Sequence, residues 1–275
     1  MITPKSSNAI ILSYSWSSGQ VTFDPSLPIE DANGRFQAQV LSYFHSFGLF
    51  GRSSSVVVSL PYANGNFEAT VAGERQRVYR SGLADSRVRF SVNLRGGPAM
   101  RAKEFVAWRE KSLIGASITA VVPTGQYDPV RAVNIGSNRW AVKPEMGFTK
   151  RWGRLAGEAY TGVWFFGSNP QFFPGQNHRS QHPMAALESH LAYYFNRRLW
   201  VSADVNFWGA GSTEINGVGK GDSQRASRAG ISAAIPVKQH HSFKAGYSRG
   251  AYVRVGGNFQ TLSLAWQYSW LGKPK

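Results

Sequence analysis

Apolar and polar residues alternate with period two along this chain, in segments of 9–13 residues bounded by turn-forming residues. The clearest runs from Arg87 to Leu94. Val88, Phe90, Val92 and Leu94 fall on one face; Arg87, Arg89, Ser91 and Asn93 fall on the other. Residues 140–148 set Trp140, Val142, Met146 and Phe148 against Lys143 and Glu145. Residues 199–207 set Leu199, Val201, Ala203, Val205 and Phe207 against Ser202, Asp204 and Asn206. The pattern predicts twelve strands, at about 8–17, 35–46, 54–62, 83–95, 112–122, 139–149, 154–166, 184–195, 198–209, 224–236, 241–249 and 259–270. Which face points where is ambiguous for 36–46 and 154–166. Residues 66–72 read either as a thirteenth segment or as part of a loop hairpin.

Connection lengths alternate as well. Long ones lie at 18–34, 63–82, 123–138, 167–183, 210–223 and, shorter, 250–258; short ones lie at 47–53, 150–153, 196–197 and 237–240. The exception is 96–111, where Ala99 to Lys111 holds helix formers and predicts a short interfacial helix. An even number of antiparallel strands, with long loops at one end and tight turns at the other, is the layout of a bacterial outer-membrane barrel. A soluble β-sandwich also alternates, but its strands are nearer about 5–6 residues. A tilted membrane-crossing strand needs about 9–11. The predicted fold is therefore all-β: one antiparallel transmembrane β-barrel over residues 1–275, with about 12 strands, short periplasmic turns and long extracellular loops.

Aromatic placement supports this. Trp16, Tyr62, Trp140, Trp164 and Trp208 fall at loop-side strand ends, and Phe47, Trp152, Tyr193, Phe195, Trp200 and Trp270 at turn-side ends. Two girdles are expected where a barrel meets the two membrane interfaces. Trp164, Trp200 and Trp208 share parity with polar residues, which directs them inward. Leu262, Leu264, Trp266, Tyr268 and Trp270 share one face of the last strand and resemble the C-terminal signal read by barrel-assembly machinery. The tail from Leu271 to Lys275 departs from barrels that end on the aromatic.

Composition removes other classes. An apolar content of 42% excludes a disordered chain, and the absence of cysteine excludes disulfides and thiolate metal sites. No apolar run approaches the roughly 18–20 residues of a membrane helix, and residues 1–15 lack the layout of a signal peptide. The net charge of +16 is one-sided. The short connections and their flanks hold Arg52, Arg95, Arg101, Lys103, Arg109, Lys111, Lys150, Arg151, Arg154, Arg197, Arg198 and Lys238, against only Glu104 and Glu110. The long loops balance Asp24, Glu30, Asp31, Glu68, Glu74, Asp128, Glu214 and Asp222 with Arg75, Arg77, Arg80, Arg131, Arg179, Lys220 and Arg254. A basic periplasmic rim facing anionic phospholipid accounts for the excess. A nucleic-acid footprint is the competing explanation of so basic a chain, but these bases sit in turns between lipid-type strands, so no nucleic acid is expected.

Motifs for chemistry are missing. Gly217 to Gly221 lacks the spacing of a phosphate loop and the hydroxyl after Lys220. The histidines His45, His178, His182, His190, His240 and His241 form no zinc array, so neither metal nor cofactor is expected. A phospholipase-type barrel enzyme needs a Ser–His–polar group on its lipid-facing wall. His190 shares parity with Glu188 and belongs to the lumen, so an enzyme is not expected.

The stretch GASITAVVPTGQYDP, from Gly115 to Pro129, is followed by NIGSNRW from Asn134 to Trp140 and by Lys143, Pro144 and Glu145. With SGLAD from Ser81 to Asp85, DPSLP from Asp24 to Pro28 and TLSLAWQY from Thr261 to Tyr268, this resembles the outer-membrane transporter family of the meta-pathway of phenol degradation. The resemblance covers nearly the whole chain. It implies a β-barrel and, by association with those pathways, uptake of aromatic or other hydrophobic compounds.

Inward parity gives a candidate lumen of Arg87, Arg89, Asn93, Lys143, Glu145, Glu158, Glu188, His190, Asp204, Asn206, Arg228 and Lys244. Such charges survive inside a polar or wet barrel, whereas a base on the lipid face costs roughly 2–4 kcal/mol at midplane. The acids come from predicted strands six to nine and Arg87, Arg89, Arg228 and Lys244 from strands four, ten and eleven. Separate arcs of this kind make a constriction with a transverse field; equally, paired charges plug a narrow barrel. A turn at 150–153 brings Glu145 and Glu158 nearly opposite, with Lys143, Arg228 or a strand-four arginine to bridge them. The chain is thus expected to be a channel or transporter for small compounds in a bacterial outer membrane, surrounded by its lipids.

Overall fold

The computed structural model describes residues 2–22, 29–109, 111–196, 198–237 and 240–272. The DPSLP stretch and the charges Asp24, Glu110, Arg197 and Lys238 lie outside the described residues, as does the tail beyond Gly272. The barrel wall comprises β1 (Ser7–Thr22), β2 (Ile29–Leu49), β3 (Arg52–Val71), β4 (Glu74–Leu83) with β5 (Ser86–Arg95), β6 (Ser112–Val122), β7 (Ala141–Trp152) and β8 (Leu155–Phe166). After two short loop strands, β9 (Asn169–Phe172) and β10 (Asn177–Gln181), the wall continues with β11 (Met184–Tyr194) and β12 (Trp200–Ala210). A second loop hairpin, β13 (Thr213–Ile215) and β14 (Val218–Gly219), precedes β15 (Gln224–Pro236), β16 (His241–Val253) and β17 (Gly256–Leu271). Every wall pairing is antiparallel, and β1 pairs with β17 from Ser7↔Leu271 to Thr22↔Gly256, which closes the barrel.

All twelve predicted strands are present, and the wall has twelve positions because β4 and β5 share one. β3 pairs β4 over Tyr62–Val71 and β5 over Ser54–Ser59. The break between them falls where Ala84 N–H donates to the carbonyl of Pro61 and Asp85 leaves the ladder to bind loop groups. Residues 66–72 belong to a loop hairpin: β3 and β4 extend the wall and turn at Ala72–Gly73, both at positive φ, as a two-residue hairpin requires. The interfacial helix is α1 (Ala102–Ala107), shorter than the helix-forming stretch. The β7–β8 turn is Gly153–Arg154, later than the sequence suggests, because both strands run on to pair Trp152 with Leu155.

The end of the barrel carrying α1 and the β2–β3, β7–β8, β11–β12 and β15–β16 connections is the turn end; the other is the loop end. At the loop end β9, β10, β13 and β14 form a separate four-stranded sheet. The core is inverted relative to a soluble protein. Leu12 is 50% exposed and Leu264 59% exposed, with Ile10, Tyr14, Leu41, Leu60, Ile118, Met146, Leu191 and Phe207 also exposed on the outer wall. Outward positions on β1, β6, β8, β11, β12 and β17 carry no charge. Residues with these propensities stand on the outside because lipid replaces the missing core. Accordingly, protein folded in detergent is expected to migrate at a different apparent mass before and after boiling, with a β-type circular dichroism spectrum. A monodisperse protein in detergent-free buffer would contradict the architecture.

Candidate functional site in the barrel lumen

Two adjoining cavities, about 360 Å³ and 440 Å³, occupy the lumen and share Glu158, Tyr160 and His190 as lining. On the wall of the first, Arg89 Nη2 donates to Glu145 Oε1 at 2.6 Å and to Ser117 Oγ at 3.1 Å. Lys143 pairs with the other Glu145 oxygen and lies 3.0 Å from Glu188 Oε1. The register explains the cluster: β6 places Ser117 opposite Glu145 and Ser91, so Arg89 on β5 spans one strand to reach β7. Burial is tight at its centre, where the Glu145 side chain is 4% and that of Lys143 10% exposed. Lys143 also stands over the Trp164 ring at 5.4 Å, so Trp164 points inward as its parity implies.

The second group follows one cross-strand row, Glu158↔His190↔Asp204 on β8, β11 and β12. His190 Nδ1 lies 2.7 Å from Asp204 Oδ1, and Ser202 and Ser232 donate to the same carboxylate at 2.9 Å and 2.8 Å. Tyr160 donates to Glu158 at 2.5 Å and lies over Gly147, where a Cβ would stand 2.6 Å from the ring. A neighbouring row pairs Glu188 with Asn206 and Asn206 with Arg228. Arg228 donates to Ser248, Thr261 and the Phe259 carbonyl at 2.9–3.1 Å. Lys244 stands over Trp200 at the turn end. Arg87, on the same face as Arg89 but nearer the loop end, is exposed and outside the ion-paired cluster.

Three expectations need correction. Glu145 and Glu158 are not opposite: Glu145 faces Gly162 and Glu158 faces Thr149, because the turn falls at 153–154. Arg228 bridges neither acid, being held by hydroxyls and a carbonyl; Lys143 and Arg89 do the bridging at Glu145. The acidic and basic arcs are not separate either, since Arg89 is spent on Glu145 within one wall. Parity alone does not reveal this, since it gives the face of a residue and not its height.

The quoted motifs lie mostly at the loop end, where they lock the 123–140 connection. Asp85 accepts from Gly125 N–H at 3.0 Å and from Ser137 N–H at 2.9 Å. Gly125 and Gly136 are pressed together, a Cβ on Gly125 falling 2.7 Å from the Gly136 Cα. Asn134 exchanges hydrogen bonds with the Asp128 backbone, and the 2%-exposed Asn169 bonds Tyr127 and Asn138. Arg139 donates to Gln181, stands 4.8 Å over Phe166 and keeps Nη1 buried without a partner. Burial, reinforced by the charge of Arg179, pushes its pKa down to about 10.

At the turn end, Ile2, Met100 and Leu113 form a buried cluster with Phe105 and Trp108 packed against it. Thr3 and Leu113 line the smaller cavity. Sequence reasoning missed this closure, because Ile2 stands outside any alternating segment and Met100 in an irregular one.

A closed antiparallel barrel with an apolar outer wall and a polar, partly hollow lumen defines the outer-membrane class of β-barrels. The model of the family described as "Putative MetA-pathway of phenol degradation" matches residues 17–268, and the chain belongs to that family. No curated protein matches it in sequence. Among solved structures, an outer-membrane channel from Pseudomonas putida F1 is similar at a TM-score of 0.81 and 16% identity, over 98% of this chain and 97% of that one. The NanC porin matches at 0.52 and 7% identity, over 94% and 98% of the two chains. A mutant of the TodX monoaromatic hydrocarbon channel matches at 0.50 and 13%, over 98% and 91%. At such identities these likenesses speak for the fold.

Proposed function

We propose that this barrel is a passive outer-membrane channel for small compounds, aromatic or otherwise hydrophobic ones included, and not an enzyme. The observation that carries the proposal is the hollow: a lipid-type wall encloses polar cavities of about 360 Å³ and 440 Å³ that adjoin within the lumen. The family's link to phenol degradation and the printed names of the similar channels agree with it. In this reading the loop end faces outward, the basic turn end meets anionic phospholipid of the inner leaflet, and β17 is the segment presented to the assembly machinery. The lumen geometry gives a phospholipase no support. Ser202 and Ser232 both direct their protons to Asp204, the carboxylate that also faces His190, so neither hydroxyl is set against an imidazole base.

The ion-paired cluster and the closed turn end favour one second reading, a structural barrel with a plugged lumen. Planar-bilayer recording across a salt gradient separates them. Discrete conductance steps are expected; folded, inserted protein without steps would leave the plugged barrel.

A further inference from the structure

The larger cavity holds charges that are unequally matched. Its carboxylates are supplied from within the wall: Asp204 by Ser202, Ser232 and His190, and Glu158 by the Tyr160 hydroxyl. Toward the turn end its cation is not. Lys244 lines the cavity with Nζ 5.3 Å from the Trp200 ring centroid, and Arg151, on β7, stands 4.2 Å over the Tyr194 ring. Among the described residues, the lumen ion pairs are those of Arg89, Lys143 and His190; neither Lys244 nor Arg151 enters one.

The two rings are neighbours on β11 and β12, with centroids 6.4 Å apart and planes 44° from parallel. On the next inward row, Ala192 faces Ser202 and Gly246 faces Ser232, so small side chains line the cavity beside the rings. An ammonium resting on a ring face keeps N–H donors for a further acceptor. Among the acceptors a small ligand can bring, a carboxylate makes the strongest hydrogen bond to an ammonium. Both rings line the cavity, where a planar aromatic ligand can pack against them edge or face on, and the volume lies within the roughly 300–1,000 Å³ typical of small-molecule sites.

We propose that this pocket binds monocyclic aromatic carboxylates, with the carboxylate on Lys244 and the ring against Trp200 and Tyr194. The proposal rests on the channel reading for its physiological meaning, as the site where a permeant pauses, but the binding itself requires no conduction. It also sets the order of preference. A neutral phenol offers Lys244 no charge, and an aliphatic carboxylate offers the rings no partner.

Isothermal titration calorimetry on the detergent-folded barrel, with benzoate, phenol and acetate as probes, tests the site. Benzoate should bind saturably, and phenol and acetate about tenfold more weakly or worse. Lys244→Gln should weaken benzoate about tenfold while leaving phenol unchanged, and Trp200→Leu should weaken benzoate but not acetate. Lys220→Gln, at the loop end, should change nothing. The gel shift on boiling verifies that each variant folds, and Lys244→Gln decides the matter should Trp200→Leu fail to fold. Benzoate binding equally to wild type and Lys244→Gln, phenol binding as tightly as benzoate, or no saturable benzoate binding would each overturn the proposal. Benzoate binding without any conductance would overturn the channel reading alone; conductance without benzoate binding would overturn the site alone.

Discussion

Replacing Glu145 with glutamine is expected to destabilise the folded barrel more than any other single neutralisation of a lumen acid. Glu145 is the hub of the cluster, with Arg89 on one carboxylate oxygen, Lys143 on the other and Ser117 donating at 3.2 Å. Glutamine keeps the shape but leaves Arg89 facing a neutral amide and the almost fully enclosed Lys143 with Glu188 as its one carboxylate partner. Removing one partner of a buried pair costs roughly 3–5 kcal/mol, mainly because the other charge stays buried. Arg89, 43% exposed, recovers part of its hydration, which places the loss near the lower figure. Glu158→Gln only exchanges the charged acceptor of the Tyr160 hydroxyl for a neutral one, a loss of about 1 kcal/mol. Urea unfolding in lipid vesicles should therefore shift the Glu145→Gln midpoint well below that of Glu158→Gln. The double replacement Lys143→Met with Glu145→Leu should recover stability relative to Glu145→Gln, since it removes the two most enclosed charges together and leaves Arg89 and Glu188, both partly exposed. Equal shifts for Glu145→Gln and Glu158→Gln would show that the cluster is hydrated and contributes little.

How much of this was legible beforehand divides along physical lines. Period-two alternation is set by which face meets lipid, so Arg87 to Leu94 and residues 199–207 announce both their strands and their lumen-facing side chains. The cluster itself was not legible, because contact between lumen residues depends on stagger. One turn placed at 153–154 instead of 150–153 separates Glu145 from Glu158. The same misplacement hid Arg151, which shares parity with Lys143 and Glu145 and sits over Tyr194, not in a turn. Resemblance pointed most clearly to the part least tied to the lumen. Asp85, Gly125, Asn134, Gly136 and Ser137 are demanded by close backbone approaches in the loop lock, which only those side chains and glycines satisfy. Such motifs thus identify a scaffold without naming what passes through it.

Ile2→Asp is expected to open the turn end and raise single-channel conductance severalfold while leaving the unfolding midpoint of the wall almost unchanged. The segment before β1 is held in the mouth by Lys5 N–H on the Met100 carbonyl at 2.7 Å, Ser6 N–H on the Ser46 carbonyl at 2.9 Å and Ser46 Oγ on the Pro4 carbonyl at 2.6 Å. Those bonds are replaceable by water, each contributing about 1 kcal/mol net. The part water cannot replace is the apolar contact of Ile2 with Met100 and Leu113, all at most 6% exposed. Burying a side chain of that size stabilises by about 1.5–3 kcal/mol, and an unpaired carboxylate in its place adds a desolvation cost of several kcal/mol. The sum exceeds what the hydrogen bonds return, so the closed arrangement becomes the minor one. The wall keeps all its ladders, because Ile2 belongs to none of them. Met100→Asp should act in the same direction from the opposite side of the contact, and Ile2→Val should leave conductance as it was. Unchanged conductance in both aspartate variants, with the wall still folded, would mean that the permeation path leaves the lumen elsewhere than past Ile2 and Met100.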